Sequence, residues 1–465
     1  MDLVYNGVWF LPSSKTFPNG LLAVDDDSIL QGKLTLTDDG DYVLETFGHF
    51  ADSPLDKSFT INGNSTDGMA ITLFGCYDLK GSYNSSALIN INKYKAFQVA
   101  ITRNQTISSY LDSIYDVKIS SFRFSTYNLS SWLYNSNFIY EGHQKYRAGK
   151  NIYVKYRLPK QDKGVKLKSG IRLRIVTVPT ISGLSNAETQ RSIIEENFIE
   201  LSRKNLKINE SLYAMDKLLD FLTIGVGEAQ SPNNVSFVYN KIRYKFFFST
   251  AKNGSNKNVY PQHMFFSYRH IMPQWNNIIN RWYDTYDDMI DIFRLFFSLF
   301  SKSSIYLNQR FLLLVQFLES FHRKAYPMDD TKIDEWRKIL DTAFSSEITE
   351  KVKKDLISKL KYGYEPSLES RLNSLFKCST LPLITKGNFK FTIFSKKVAE
   401  TRNYLTHHGH KTVNVIDDNK DLIQACIVLD KLSRYCILNT MGLSDIQMAE
   451  IVKNFSRLDM KVMSL

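Results

Sequence analysis

Cysteine is scarce, with four in 465 residues. Cys76, Cys378, Cys426 and Cys436 form no CxxC pair and have no histidine at zinc-ligand spacing, which excludes a disulfide scaffold and a zinc finger. All four are expected to be buried as small apolar side chains. Long apolar runs are also missing. The stretches 292–300 and 311–318 are broken by Arg294, Lys302 and Arg310 well short of the roughly 20 residues a span needs, so no membrane partner is expected. The start, MDLVYNGVWFLP, lacks the cationic and small-residue features of a signal peptide, and a cytoplasmic location is expected. Gly225-Val226-Gly227 lacks the lysine of a phosphate-binding loop and reads as a turn, and no cofactor is expected.

What is present is a globular composition, 43% apolar and 23% charged, with a net charge of +12. The charge is uneven. Residues 1–100 hold 6 basic and 12 acidic side chains, a net of −6, which leaves 53 and 35, a net of +18, for residues 101–465. The stretch 141–180 alone holds 11 basic and 2 acidic side chains, interleaved with Tyr146, Tyr153 and Tyr156. Cations among aromatics suit single-stranded RNA, and equally suit one solvated face of a strand. Lys351, Lys353, Lys354, Lys359 and Lys361 form a second, helical basic patch that reads as ordinary surface.

The first part of the chain reads as short strands. Residues 32–37 and 42–47 alternate around Asp38-Asp39-Gly40-Asp41, a hairpin in which Gly40 supplies a positive φ. Asn62-Gly63-Asn64, Asp67-Gly68 and Lys80-Gly81-Ser82 mark further turns, and 71–74, 117–124, 151–157 and 171–178 read as strands. One helix is expected near 209–223, with Asn209 available as its cap, and a hairpin follows at 234–239 and 242–248. From Trp275 the period is helical, with helices expected at 275–300, 306–325, 330–343, 347–361, 367–376, 395–408, 419–440 and 444–455. Ser444-Asp445-Ile446-Gln447 is a capping box for the last. The expected fold class is α+β: a β-rich, sandwich-like domain over 1–270 and an all-α domain over 271–465.

The segment with the most chemistry is Arg402-Asn403-Tyr404-Leu405-Thr406-His407-His408-Gly409-His410, which holds three of the eight histidines. It closes a helix whose inward face is read as Val398, Thr401 and Leu405, with Gly409 as the stop. Asn403 and His407 share a helix face, and Arg402 lies about 140° round from His407. Histidine can move a proton to or from a ribose oxygen near neutral pH, and arginine can stabilise charge on a phosphoryl group. Cationic side chains also suit a helix C-terminus through the macrodipole, and spacing alone leaves both readings open.

Arg402-Asn403 followed by His407 resembles the R-[polar]-x3-H signature of HEPN ribonucleases. The first half resembles the β domain of ApeA-like antiphage HEPN proteins through Gly7-Val8-Trp9-Phe10-Leu11-Pro12, Gly32-Lys33-Leu34-Thr35-Leu36, Asp67-Gly68-Met69-Ala70-Ile71-Thr72-Leu73, Cys76 and Asn128-Leu129-Ser130-Ser131-Trp132-Leu133. The resemblance implies an abortive-infection effector. Its β domain would sense a phage component, with a phage protein as trigger, and its helical domain would cleave host RNA, tRNA being the family's substrate class. It implies His407 as general acid/base, Arg402 as phosphate stabiliser and Asn403 as the residue that orients them, in a homodimer or higher homo-oligomer through the helical domain, with motif helices facing. His408, His410, Lys411, Lys396 and Lys397 are further candidate RNA contacts. Some HEPN toxins carry a modifiable tyrosine two places after the histidine; Gly409 stands there in this chain, against control by that route.

Two other readings compete. A β-domain receptor with a dimerising, non-catalytic helical half would make Arg402 and His407 dispensable. Asp284, Asp287, Asp288 and Asp291 lie on one helical stripe and could bind a divalent ion, but a solvated face paired with Arg281 or Arg294 is the expected role, and no metal is expected.

Overall fold

A computed structural model describes residues 2–12, 29–50, 58–79, 91–103, 109–134, 137–141, 153–158, 163–182, 192–249, 254, 257–300, 305–327, 330–343, 349–360, 362–379 and 390–451. The expected turn at Lys80-Gly81-Ser82, Tyr146 and Lys361 lie outside these residues, as do 151–152 of the strand expected at 151–157, 347–348 of the helix expected at 347–361 and 452–455 of that expected at 444–455. The chain divides into two compact units, Met1–Leu222 with Ala229–Val259, and Thr223–Glu228 with Tyr260–Leu465. The expected split into β-rich and helical parts is present. Among the described residues no helix is long and apolar enough to cross a membrane.

The first unit carries strands β1 (Leu3–Phe10), β2 (Leu30–Leu36), β3 (Tyr42–Phe47), β4 (Phe59–Ser65), β5 (Ala70–Asp78), β6 (Ile91–Ala96), β7 (Gln98–Thr102) and β8 (Lys118–Thr126), then the short helix α1 (Leu129–Leu133). There follow β9 (Phe138–Glu141), β10 (Tyr153–Tyr156), β11 (Val165–Lys166), β12 (Arg172–Ser182), β13 (Ser192–Lys207), helix α2 (Ile208–Val226), whose residues from Thr223 belong to the second unit, β14 (Pro232–Tyr239) and β15 (Ile242–Phe248). Among the described residues β9 and β10 pair with each other alone, and the other thirteen strands form one sheet.

That sheet closes on itself. β1 pairs with β2 and β4, β3 pairs with β6, and β6 returns to β5 through Tyr77↔Lys95 and Asp78↔Tyr94, which makes a barrel of β5-β4-β1-β2-β3-β6. Alternation explains its filling. Leu34 and Leu36, Tyr42 and Leu44, and Ile71 and Leu73 send every second side chain to an interior completed by Trp9, Ile61, Cys76 and Tyr94. The sandwich-like layout expected from short alternating strands therefore takes barrel form. Either architecture buries one face per strand, and alternation does not report closure.

β5 is the branch point. Its first half pairs with β7 (Ala70↔Thr102 to Phe74↔Gln98) and its second half with β6. Gly75 stands at the change with φ +66, and a Cβ there would sit 2.9 Å from the Phe97 ring that separates β6 from β7. From β7 the sheet runs outward through β15, β14, β8, β13 and β12 to β11. Across β8, β13 and β12 the register aligns Arg123, Glu200 and Arg174, and buried Glu200 takes both guanidinium groups.

Three expected signals are placed differently. Asn62-Gly63-Asn64 is not a turn but the end of β4, where the missing Cβ of Gly63 leaves room for the Trp9 ring. α2 begins one residue before Asn209, and it is the Glu210 carboxylate that accepts the Lys207 N–H at 3.0 Å. Gly225 and Val226 lie within α2, and Gly227 ends it at φ +84.

The second unit contains α3 (Tyr268–Ile271), α4 (Trp275–Phe297), α5 (Leu307–Ala325), α6 (Asp330–Ala343), α7 (Glu350–Leu360), α8 (Leu368–Cys378), α9 (Phe391–His407) and α10 (Asn419–Thr440). Residues 445–451 are helical, with the Ser444/Gln447 capping box formed. α4 buries Ile278, Trp282, Tyr286, Met289, Phe293 and Phe296 on one face, which leaves Asp284, Asp287, Asp288 and Asp291 on the exposed one. α5 packs against α4, α8, α9 and α10. Arg434 of α10 is 4% exposed: it donates to Asp430 at 2.7 Å and to the Ile224 carbonyl at 3.1 Å, and its guanidinium lies over Phe265, Phe296 and Phe300. Cys76, Cys426 and Cys436 are buried, but Cys378, the last residue of α8, is exposed.

Candidate active site

α9 carries the Arg402–His410 segment up to His407. Ser395, Val398 and Thr401 are buried along its inner face, while Leu405 is half-buried. The left-handed stop is His408 rather than Gly409: His408 has φ 48, and its N–H reaches the Tyr404 carbonyl at 2.9 Å. Glycine is the usual residue there, but histidine is among the types that tolerate this conformation.

Thr401 ties the next loop to the helix. Its Oγ1 donates to the Lys397 carbonyl at 2.7 Å and accepts the Ile416 N–H at 2.9 Å. The preceding residue, Glu400, accepts from Thr412, and from Asn414 at 2.8 Å. These bonds hold its carboxyl below the usual carboxylate range, with Thr412 the larger cause. Lys411 pairs with Asp417, and Lys396 stands 4.0 Å from Glu400. His408, His410 and Lys411 thus sit on an exposed loop pinned beside the C-terminus of α9, and Lys396 and Lys397 lie two to three turns back along the helix.

Arg402 and Asn403 are brought together. The Arg402 Nη1 donates to Asn403 Oδ1 at 3.0 Å, and Nη2 donates to Glu319 Oε2 on α5 at 3.3 Å. This fixes the guanidinium from two sides while leaving it partly open to solvent. His407 is exposed as the last residue of the same helix and makes no hydrogen bond to either. The geometry offers an oriented cation and, about one and a half turns on, an accessible imidazole.

Behind Arg402 runs a chain of alternating charge that sequence reasoning missed. Glu319 also meets Arg323 at 3.6 Å, Arg323 meets Glu365 at 2.9 Å, and Glu365 meets Arg371 at 2.8 Å. Arg371 is 3% exposed and also donates to the Pro366 carbonyl at 3.0 Å. Its Nη1 lies 3.4 Å from Nδ1 of buried His322. Because arginine can only donate, Nδ1 accepts and His322 is neutral. Burial first, and the Arg371 charge second, lower its pKa. The one local signal for this chain was Glu319-x3-Arg323, an acid–base pair at helical spacing on an amphipathic helix.

The acidic stripe does not form a comparable site. Its carboxylates face solvent, Asp291 pairs with Arg294 at 3.1 Å, and among the described residues no three His, Cys, Asp or Glu side chains converge to hold an ion.

Comparison with protein families gives two matches. The model described as ApeA N-terminal domain 1 matches residues 4–282, and that described as Apea-like HEPN matches residues 312–447, which include α9 and the charged chain behind it. No curated protein and no solved structure gives a match.

Proposed function

Because the chain belongs to the ApeA family of antiphage HEPN nucleases, matched over 4–282 and 312–447, we propose that it is an abortive-infection effector that cleaves RNA without metal. The observation that carries this reading is Arg402 clamped between Asn403 and Glu319, with His407 exposed at the end of the same helix.

In the proposed reaction the ribose 2′-oxygen attacks its own phosphorus and the P–O5′ bond breaks. One His407 imidazole takes the 2′-OH proton, and another returns a proton to the leaving 5′-oxygen. Arg402 stabilises the charge that builds on the phosphoryl oxygens, and Asn403 holds it in place. Products are a 2′,3′-cyclic phosphate and a 5′-OH, and DNA, lacking the nucleophile, is not cut. Since one chain contributes one such histidine, the site is completed by a homodimer with α9 facing α9. His408, His410, Lys411, Lys396 and Lys397 contact the flanking backbone. Host tRNA in the cytoplasm is the substrate, residues 1–270 form the sensor for a phage protein, and residues 271–465 form the nuclease.

The test is sequencing of RNA ends from infected cells. Wild type should yield 5′-OH ends that disappear in His407→Ala and in Arg402→Ala, and purified protein should cut equally with or without EDTA. Cleavage that survives His407→Ala, or is lost in EDTA, would overturn the mechanism. Undiminished protection of Arg402→Ala cells would instead leave a non-catalytic receptor.

A further inference from the structure

A groove of about 440 Å³ opens on the sheet extension of the first unit, with Ser120, Lys166, Arg172, Ser202, Arg203 and Lys204 as its polar lining and no carboxylate among its walls. Register explains why these residues meet. Lys166 pairs with Arg172, and Arg172 with Ser202, so the three stand in one row across β11, β12 and β13. Val165, Leu173 and Leu201 point to the opposite, buried face.

A bulge adds two more cations. The β13–β8 register slips between Ser202 and Leu206, where Asn205 adopts φ 58, and the slip turns Arg203 and Lys204 toward the same groove. Arg203 is braced by the Ser169 carbonyl at 3.0 Å and by Glu210. Lys166, Arg172 and Lys204 meet no acidic partner among the described residues. Just beyond the groove, Lys207 stands opposite Lys118 in the ladder.

Like charges gathered this way repel one another unless an anion joins them. The volume falls within the roughly 300–1,000 Å³ of small-molecule sites, but those enclose most of their ligand. This groove is open, and its four cations remain exposed or half-exposed. An open row of cations on strands fits a polymer backbone, which is neutralised phosphate by phosphate. From the bulge, the register and the charge, we infer that the β extension carries a second RNA-binding site, separate from the α9 segment, which grips the phosphate backbone. That the polyanion is RNA rests on the nuclease function proposed for α9; the groove itself does not.

The experiment uses the full chain carrying His407→Ala, so that RNA stays intact, and measures binding of a short single-stranded RNA by fluorescence anisotropy over a salt series. Adding Lys166→Ala, Arg172→Ala and Lys204→Ala should weaken binding about 10-fold or more at low salt. It should also make the log–log salt slope shallower by roughly 2, at about 0.7 per phosphate released. Lys166→Arg with Lys204→Arg should keep the parent affinity. Binding within about twofold of the parent would overturn the inference. So would an equal loss from Lys351→Ala, Lys353→Ala and Lys354→Ala on α7, or competition by a mononucleotide as effective as by RNA. Cleavage reads the other proposal independently. A wild type that cuts RNA while the groove variant binds like its parent removes the groove site alone; a groove variant that loses binding while wild type cuts nothing removes the nuclease alone.

Discussion

Arg402 has two partners of different kinds, and they divide the work of holding it. Asn403 is exposed and neighbouring, so it sets the direction of Nη1, whereas Glu319 reaches from another helix and anchors Nη2. Removing the anchor should misplace the cation without removing it. Glu319→Ala is expected to lower kcat for RNA about 10-fold, short of the roughly 10²–10³ expected for Arg402→Ala, and Glu319→Gln should recover most of the loss. Because these ion pairs are partly solvated, the melting temperature should barely move, which separates positioning from folding. His322 gives a second expectation at this scale. Its pKa is lowered from 6.5 in the fold, so the unfolded chain takes up the proton first as pH falls. The stability it contributes is complete above the unfolded pKa and is lost as pH drops through the folded one. Melting curves from about pH 7 to about pH 5 should show this loss, and His322→Gln should flatten it.

The helices were legible because their signal is local. α4, α5, α9 and α10 lie where the apolar period places them, and the Ser444 capping box forms as its spacing requires. Arg402, Asn403 and His407 were legible for the same reason, since one helix carries all three. Glu319 was not, because it lies 83 residues from Arg402 and only packing of α5 on α9 brings them together. Arg371 and His322, 49 residues apart, were hidden likewise. Among the strands, alternation located β2, β3, β8 and β12 but was silent on the return of β6 to β5. The loop after α9 shows the reach of a single buried hydroxyl. Thr401→Val keeps the shape but strips the Ile416 N–H of its acceptor, a loss of about 1–3 kcal/mol. Faster hydrogen exchange confined to residues 409–418, with α9 itself protected, is the expected outcome.

Across the whole chain, charge follows the order of the segments. The net of −6 falls on residues 1–100, which supply every strand of the barrel, and the net of +18 on residues 101–465, which include the cationic groove and α9. If RNA is drawn by that later charge, cleavage at subsaturating RNA should fall steadily as salt rises, and a neutral substrate mimic should show no such trend. A salt-independent rate would detach the charge from catalysis.

The barrel's closure on β6 also sets a timetable. All its staves lie within residues 3–96, whereas the extension is complete only when β15 reaches β7, and His407 comes some three hundred residues after the barrel's last strand. At about 5–20 residues per second of synthesis, that interval is on the order of 15–60 seconds. A nascent chain therefore holds a finished barrel on the ribosome well before α9, the segment proposed to cut RNA, emerges.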